Sequence, residues 1–147
     1  MRVWAVMVLL LLLIARPARG ACDVLSLERL MKDNSIAWVF SGTVRDVARV
    51  PAGQIATIDV DRVWKGPVPT RVVVYNRQDF AERTDFQLQK RYLVTAYVQS
   101  PPDRARFAVT DEKTTYEANG CTIQTFSSDY AKQILGDVPG RSPSQTP

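Results

Sequence analysis

The apolar positions of the chain change period several times, and each change marks an element. Leu27, Leu30 and Met31 stand at i, i+3 and i+4, with Ser26 placed to cap and Glu28 in the first turn, where a carboxylate suits the helix dipole. The spacing predicts a short helix over residues 26 to 34. From Ile36 the period becomes two: Trp38, Phe40, Gly42 and Val44 share one face, and Val39, Ser41, Thr43 and Arg45 the other. This is a long strand, with Gly42 at a point where a bend or a close backbone approach is easy.

The turn signal VPAG at 50 to 53 leads into a second alternating run, QIATIDVDRVWKG, with Ala56, Ile58 and Val60 on one face and Thr57, Asp59 and Asp61 on the other. The two runs predict a long hairpin. KGPVP breaks the chain before the β-branched run TRVVVY, a third strand, and a polar loop NRQDFAERTDFQLQK follows. RYLVTAYV at 91 to 98 reads as a fourth strand, and RFAVT at 106 to 110 as a fifth, paired back across it. In SSDYAKQILG, Ser127 or Ser128 can cap a helix that ends at Gly136. The segment 137 to 147, rich in Pro, Ser and Gly with little to bury, is expected to be a disordered tail. Five strands in a meander-like order with short flanking helices predict an all-β fold, a five-stranded OB-fold barrel; an open β-sandwich is the alternative.

Ahead of these elements lies a different pattern. Val3 to Ala15 is an unbroken apolar run of 13 residues, preceded by Arg2 and followed by Arg16, Pro17 and small residues. The order of basic, apolar and small segments is that of a secretory signal peptide over residues 1 to 20. A spanning helix needs about 20 apolar residues, so no permanent membrane anchor is expected. Ala18 and Gly20 favour a mature start at Ala21, with cleavage one residue later, at Cys22, or lipidation of Cys22 as the other options. One domain over 21 to 136 is the expectation.

Export revises the charge. The whole chain is formally +4, but removing Arg2, Arg16 and Arg19 leaves 16 basic residues against 15 acidic ones. A basic isoelectric point carried by the leader gives no reason to expect nucleic acid or an anionic membrane as partner. Export also places the two cysteines, Cys22 and Cys121, where disulfides persist, so pairing is expected over two free thiols.

The order of these segments resembles the tissue inhibitor of metalloproteinases family, including bacterial members built of one netrin-like OB-fold module. The residues that carry the resemblance are an exported start near a cysteine, AWVFSGTV after a short helix, VDRVWKG, FQLQKRYLV, and a late cysteine in NGCTIQTF before a last helix. It covers nearly all of residues 21 to 136. The resemblance implies a bridge from Cys22 to Cys121 that fixes the amino terminus on the barrel. It also implies a mechanism: the free α-amine and carbonyl of the first cysteine chelate the zinc of a metalloprotease, and the next side chain enters the specificity pocket. Those roles would fall on Cys22 and Asp23.

Three features of this chain weigh against that inhibitory wedge. A start at Ala21 turns the Cys22 nitrogen into a peptide amide, which has no lone pair for a metal. Asp23 would carry a carboxylate into a desolvated apolar pocket. Family members often carry Cys-x-Cys at this end, whereas here Asp23-Val24 follow one cysteine; Cys22 aligned with the second family cysteine would leave Gly20 at the zinc-binding position.

Other chemistry is sparse. With no histidine the chain lacks imidazole metal sites, Ser-His and Cys-His pairs and the commonest general base. Thr110 and Lys113 stand at a hydroxyl-lysine spacing that chance supplies easily, and Asp59 with Asp61 reads as the solvated face of a strand. No enzyme activity, no cofactor and no metal of its own are expected. The expectation is an exported module, periplasmic or extracellular, that acts by binding protein with its zinc-chelating terminus lost. The alternatives are a metalloendopeptidase inhibitor working through Cys22, and an oligosaccharide or nucleic-acid binder using Arg71, Arg77, Arg83, Lys90 and Arg91 around the long loop.

Overall fold

In a computed structural model, residues 25–51, 53–77, 84–98 and 116–144 are described. Their elements are α1 (Leu27–Lys32), β1 (Ile36–Val50), β2 (Gly53–Lys65), β3 (Arg71–Arg77), β4 (Arg91–Val98), β5 (Tyr116–Asn119), β6 (Ile123–Thr125) and α2 (Asp129–Leu135). The sheet runs β1-β2-β3-β5-β4 and closes on itself through β1–β4 pairing, with β6 added beside β4. Every pairing is antiparallel except β3 with β5. This closed five-stranded barrel with two short helices is OB-fold-like.

Closure depends on β1, which must serve two partners along its 15 residues. Its register against β2 shifts between Val39 and Phe40, between Ser41 and Gly42, and between Val44 and Asp46. Such bulges bend a strand and raise its twist, which lets one strand turn the corner of a small barrel. Gly42 allows a close approach of the two strands: a Cβ there would sit 2.5 Å from the Asp59 carbonyl oxygen and 2.7 Å from Ile58 Cγ2. Any side chain at this position would push β1 and β2 apart.

The alternation read from the sequence separates two apolar layers. Trp38, Phe40 and Val44 of β1 point into the barrel with Ile58, Val63, Val74, Tyr92, Val94 and Ile123. The opposite face of β1 and β4 is buried as well, because the helices cover it: Leu27 and Leu30 of α1 and Ala131 and Leu135 of α2 pack on Ile36, Val39 and Leu93. Ser26 caps α1 by accepting from the Arg29 amide, and Ser128 caps α2 by accepting from the Ala131 amide.

Two sequence expectations need correction, the meander-like order and the disordered tail. The strand expected at 106 to 110 lies outside the described residues; the strand beside β4 is Tyr116–Asn119, which also runs parallel to β3, so the order is no meander. A sixth strand, Ile123–Thr125, extends the sheet. Residues 137 to 144 of the expected disordered tail lie along β2, where Val63 and Arg141 exchange both backbone hydrogen bonds. Composition weighs that segment by the apolar side chains it could bury, whereas its anchoring is by main-chain and polar side-chain hydrogen bonds.

Candidate functional site

Cys22 and Asp23, the candidate wedge, lie outside the described residues. Leu25 packs on the outer apolar layer beneath α1 and α2. It shares a shallow depression with Tyr97, Cys121, Gln124, Tyr130 and Ile134. Cys121 sits in the turn from β5 to β6, its amide donating to the Asn119 side chain at 3.0 Å and its carbonyl accepting from Gln124 Nε2 at 3.3 Å. It is not a free cysteine. The segment leaving the amino terminus and the late cysteine therefore meet at one end of the barrel. Beside them, burial and the nearby carboxylates of Asp33 and Glu117 push the Tyr97 hydroxyl above its ordinary value, so it stays protonated.

The residues of VWKG divide their work by direction. Val63 points into the barrel and is fully buried. Trp64 points outward to the helix layer, where its indole N–H donates to the Val138 carbonyl at 2.9 Å. Lys65 Nζ donates to the carbonyls of Leu30 at 2.8 Å and Asp33 at 2.6 Å. It thus satisfies acceptors that the end of α1 leaves without helical partners and places a cation at the negative end of the helix. Gly66 adopts φ +81°, and a Cβ there would lie 2.3 Å from the Ala37 carbonyl oxygen. Lys65→Met is expected to lower the unfolding free energy by about 1–2 kcal/mol, by removing charge-assisted hydrogen bonds. Urea unfolding checks this; a loss below about 0.3 kcal/mol would deny the clamp a role.

KRYLV divides in the same way. Arg91 forms a bidentate pair with Asp61 at 2.7 and 2.8 Å and lies 3.5 Å from the centroid of the Phe126 ring. Tyr92 fills the barrel, and its hydroxyl donates to the Asp85 carbonyl and accepts from the Gln87 amide. Gln54 and Asn76, both buried, hold the same returning loop: Gln54 Oε1 accepts from the Phe86 amide at 2.9 Å, and Asn76 Nδ2 donates to the Thr84 carbonyl at 2.8 Å. Nothing in the alternation singled out these two amides. Polar residues in otherwise apolar strands were their only signal.

Asp59 and Asp61 share the outer face of β2, as their spacing predicts, and each is engaged by arginine. Asp59 accepts from Arg71 at 2.7 Å and from Arg45 at 2.6 Å, and these bonds, Arg71 first, hold its carboxyl below the ordinary value. Such a carboxylate is a poor proton donor near neutrality. Asp61 also accepts from the buried Ser41 hydroxyl. No cluster of three metal-ligating side chains occurs among the described residues. Of the cations around the long loop, Arg71, Arg77 and Arg91 pair with Asp59, Glu117 and Asp61, which weakens any claim on a polyanion; Arg83 lies outside the described residues. Thr110 and Lys113 lie outside them too.

The lowered Asp59 pKa fixes the sign of an acid effect. A carboxyl depressed in the folded state contributes stability above its unfolded value, near 3.8, and loses it as pH falls through the folded value. Asp59→Asn is therefore expected to flatten the acid limb of a Tm-against-pH profile and leave a residual slope from Asp33, which hydrogen bonds from Ser35 also hold low. An unchanged acid limb would contradict it.

Among the described residues no helix is long and apolar enough to cross a membrane. No family model matches the chain, and no curated protein matches it.

Proposed function

We propose that the chain is an exported, non-enzymatic module of the metalloproteinase-inhibitor type, a single OB-fold barrel that acts by binding protein and has lost the zinc-chelating amino terminus. The observation that supports it best is the meeting of Leu25 with an engaged Cys121 at one end of an OB-like barrel. With Cys22 as the other cysteine of the chain, a Cys22–Cys121 bridge would hold the first mature residues against this end. The pairing of the outer-face arginines with aspartates favours a protein partner over nucleic acid.

Loss of inhibition follows from chemistry at residues 21 to 23. An acylated Cys22 nitrogen is no zinc ligand, and the Asp23 carboxylate suits an apolar pocket badly. The alternative, a metalloendopeptidase inhibitor with Cys22 as its first residue, makes the opposite claim. Titrating the exported protein against a panel of zinc endopeptidases separates them. No inhibition at micromolar protein is expected; stoichiometric inhibition of any member would establish the alternative.

A further inference from the structure

β2 is longer than its neighbour. β3 covers it only from Gly53 to Asp59, and the Val60 amide makes one further bond to Thr70. Beyond that point the edge of β2 facing away from β1 would present unpaired main-chain groups, which folded proteins cover or blunt. Residues 138 to 144 cover it. The Val63 amide donates to the Arg141 carbonyl at 2.8 Å and the Arg141 amide to the Val63 carbonyl at 2.9 Å. The Ser144 amide and hydroxyl both donate to the Val68 carbonyl at 2.9 Å, and the Arg141 guanidinium donates to the Gly66 carbonyl. Gly140 crosses Trp64 so closely that a Cβ would sit 3.0 Å from the indole and 2.9 Å from Arg62 Cβ.

This segment is held by main-chain bonds and by polar side chains, the Arg141 guanidinium, the Ser144 hydroxyl and the Trp64 indole, with little apolar anchoring. Val138 is 53% exposed, and Pro139 and Arg141 are exposed as well. Burying so little apolar surface, it can be exchanged for another strand of the same form. We propose that the outer edge of β2, with Trp64 as its shelf and the Gly66 and Val68 carbonyls as its end, is a strand-addition groove for an extended polypeptide. The partner it fits presents a glycine followed by arginine, and the chain's own residues 138 to 144 are the built-in occupant that it displaces. Main-chain bonds would supply affinity, as in other strand additions. The glycine requirement at the indole and the guanidinium on the Gly66 carbonyl would supply selectivity. A tethered occupant competes at an effective concentration in the millimolar range, so the groove opens only to a partner that is abundant or tightly bound.

The inference rests on the reading of the chain as a protein-binding module and gives that reading a surface. Its test uses the full exported chain and a labelled synthetic peptide spanning residues 137 to 144. Gly140→Val, which forces the tethered segment off the indole, is expected to bind this peptide about tenfold more tightly than the unsubstituted protein does. A peptide with glutamate in place of its arginine is expected to lose that binding. Hydrogen exchange supplies the internal control: the Val63 amide should lose protection in Gly140→Val and regain it with peptide, while amides between β1 and β2 stay protected. If those control amides are lost, Arg141→Ala replaces Gly140→Val in the same experiment. Equal peptide binding by the two proteins, indifference to the arginine, or a Val63 amide that keeps its protection in a folded variant would each overturn the inference. The endopeptidase titration is blind to this groove, so the two readings fail separately.

Discussion

Phe40→Ala is expected to lower the unfolding free energy by about 3–5 kcal/mol, enough to leave a domain of this size near its stability limit. Phe40 is fully buried inside the barrel, edge-on to Trp38 at 6.3 Å between ring centroids. It lies between two register shifts of β1, opposite Val63 of β2 and Val94 of β4. Its ring therefore fills the space where one bent strand serves both sides of the closure. The barrel cannot collapse onto the void without moving strands fixed on both edges, which puts the cost in the upper part of the range for large-to-small substitutions. Guanidinium unfolding followed by tryptophan fluorescence measures it. Phe40→Leu should cost less than about 1.5 kcal/mol, because most of the volume is kept. Similar losses for the two variants would contradict a tightly packed interior.

Cys121→Ser is expected to cost about 2–5 kcal/mol, and reduction of the unsubstituted protein about the same. The Cys22–Cys121 bridge would close a loop of about 100 residues, for which chain entropy alone suggests roughly 4–5 kcal/mol before native strain is subtracted. Local hydrogen bonding should change little, since Cys121 engages the turn through its amide and carbonyl, which serine retains. Cys22→Ser should match Cys121→Ser, and the double variant should cost no more than either one. A loss below about 0.5 kcal/mol on reduction would show that no bridge contributes.

The parts of the fold legible in the sequence were those whose side chains meet opposite environments on alternate positions. β1 and β2 announced themselves because inward residues such as Phe40 and Ile58 alternate with Thr43 and Asp59, and VPAG supplied the turn. Both helices were legible from a serine cap and apolar spacing. β5 was not, because only Ala118 of its four residues is buried and its pairing with β3 joins residues some 40 positions apart. RFAVT, where the sequence predicts a strand, lies outside the described residues. Residues 137 to 144 were missed for the reason composition misses any segment without an apolar face: Arg141 and Ser144 are held in part through main-chain groups, which every sequence possesses. Of the candidate site, Cys121 was legible as a partner-seeking cysteine. VWKG was noticed as a marker of resemblance, but its physical duties, an indole that holds a returning segment and an ammonium that closes α1, emerged only with the helices in place.

The same duties weigh the family markers differently. Lys65, Gly66, Arg91 and Tyr92 each close a structural gap in this barrel. These duties are structural and bear on the barrel alone; the inhibitory roles that the resemblance implies would fall on Cys22 and Asp23.

The most direct test of the account is therefore the amino-terminal sequence and intact mass of the exported protein, with and without reductant. The expected result is a chain that begins at Ala21, with an unmodified Cys22 amide nitrogen and a mass that rises by two hydrogens on reduction. A chain that begins at Cys22 with a free α-amine would contradict the loss of the chelating terminus, and a mass unchanged by reductant would contradict the bridge.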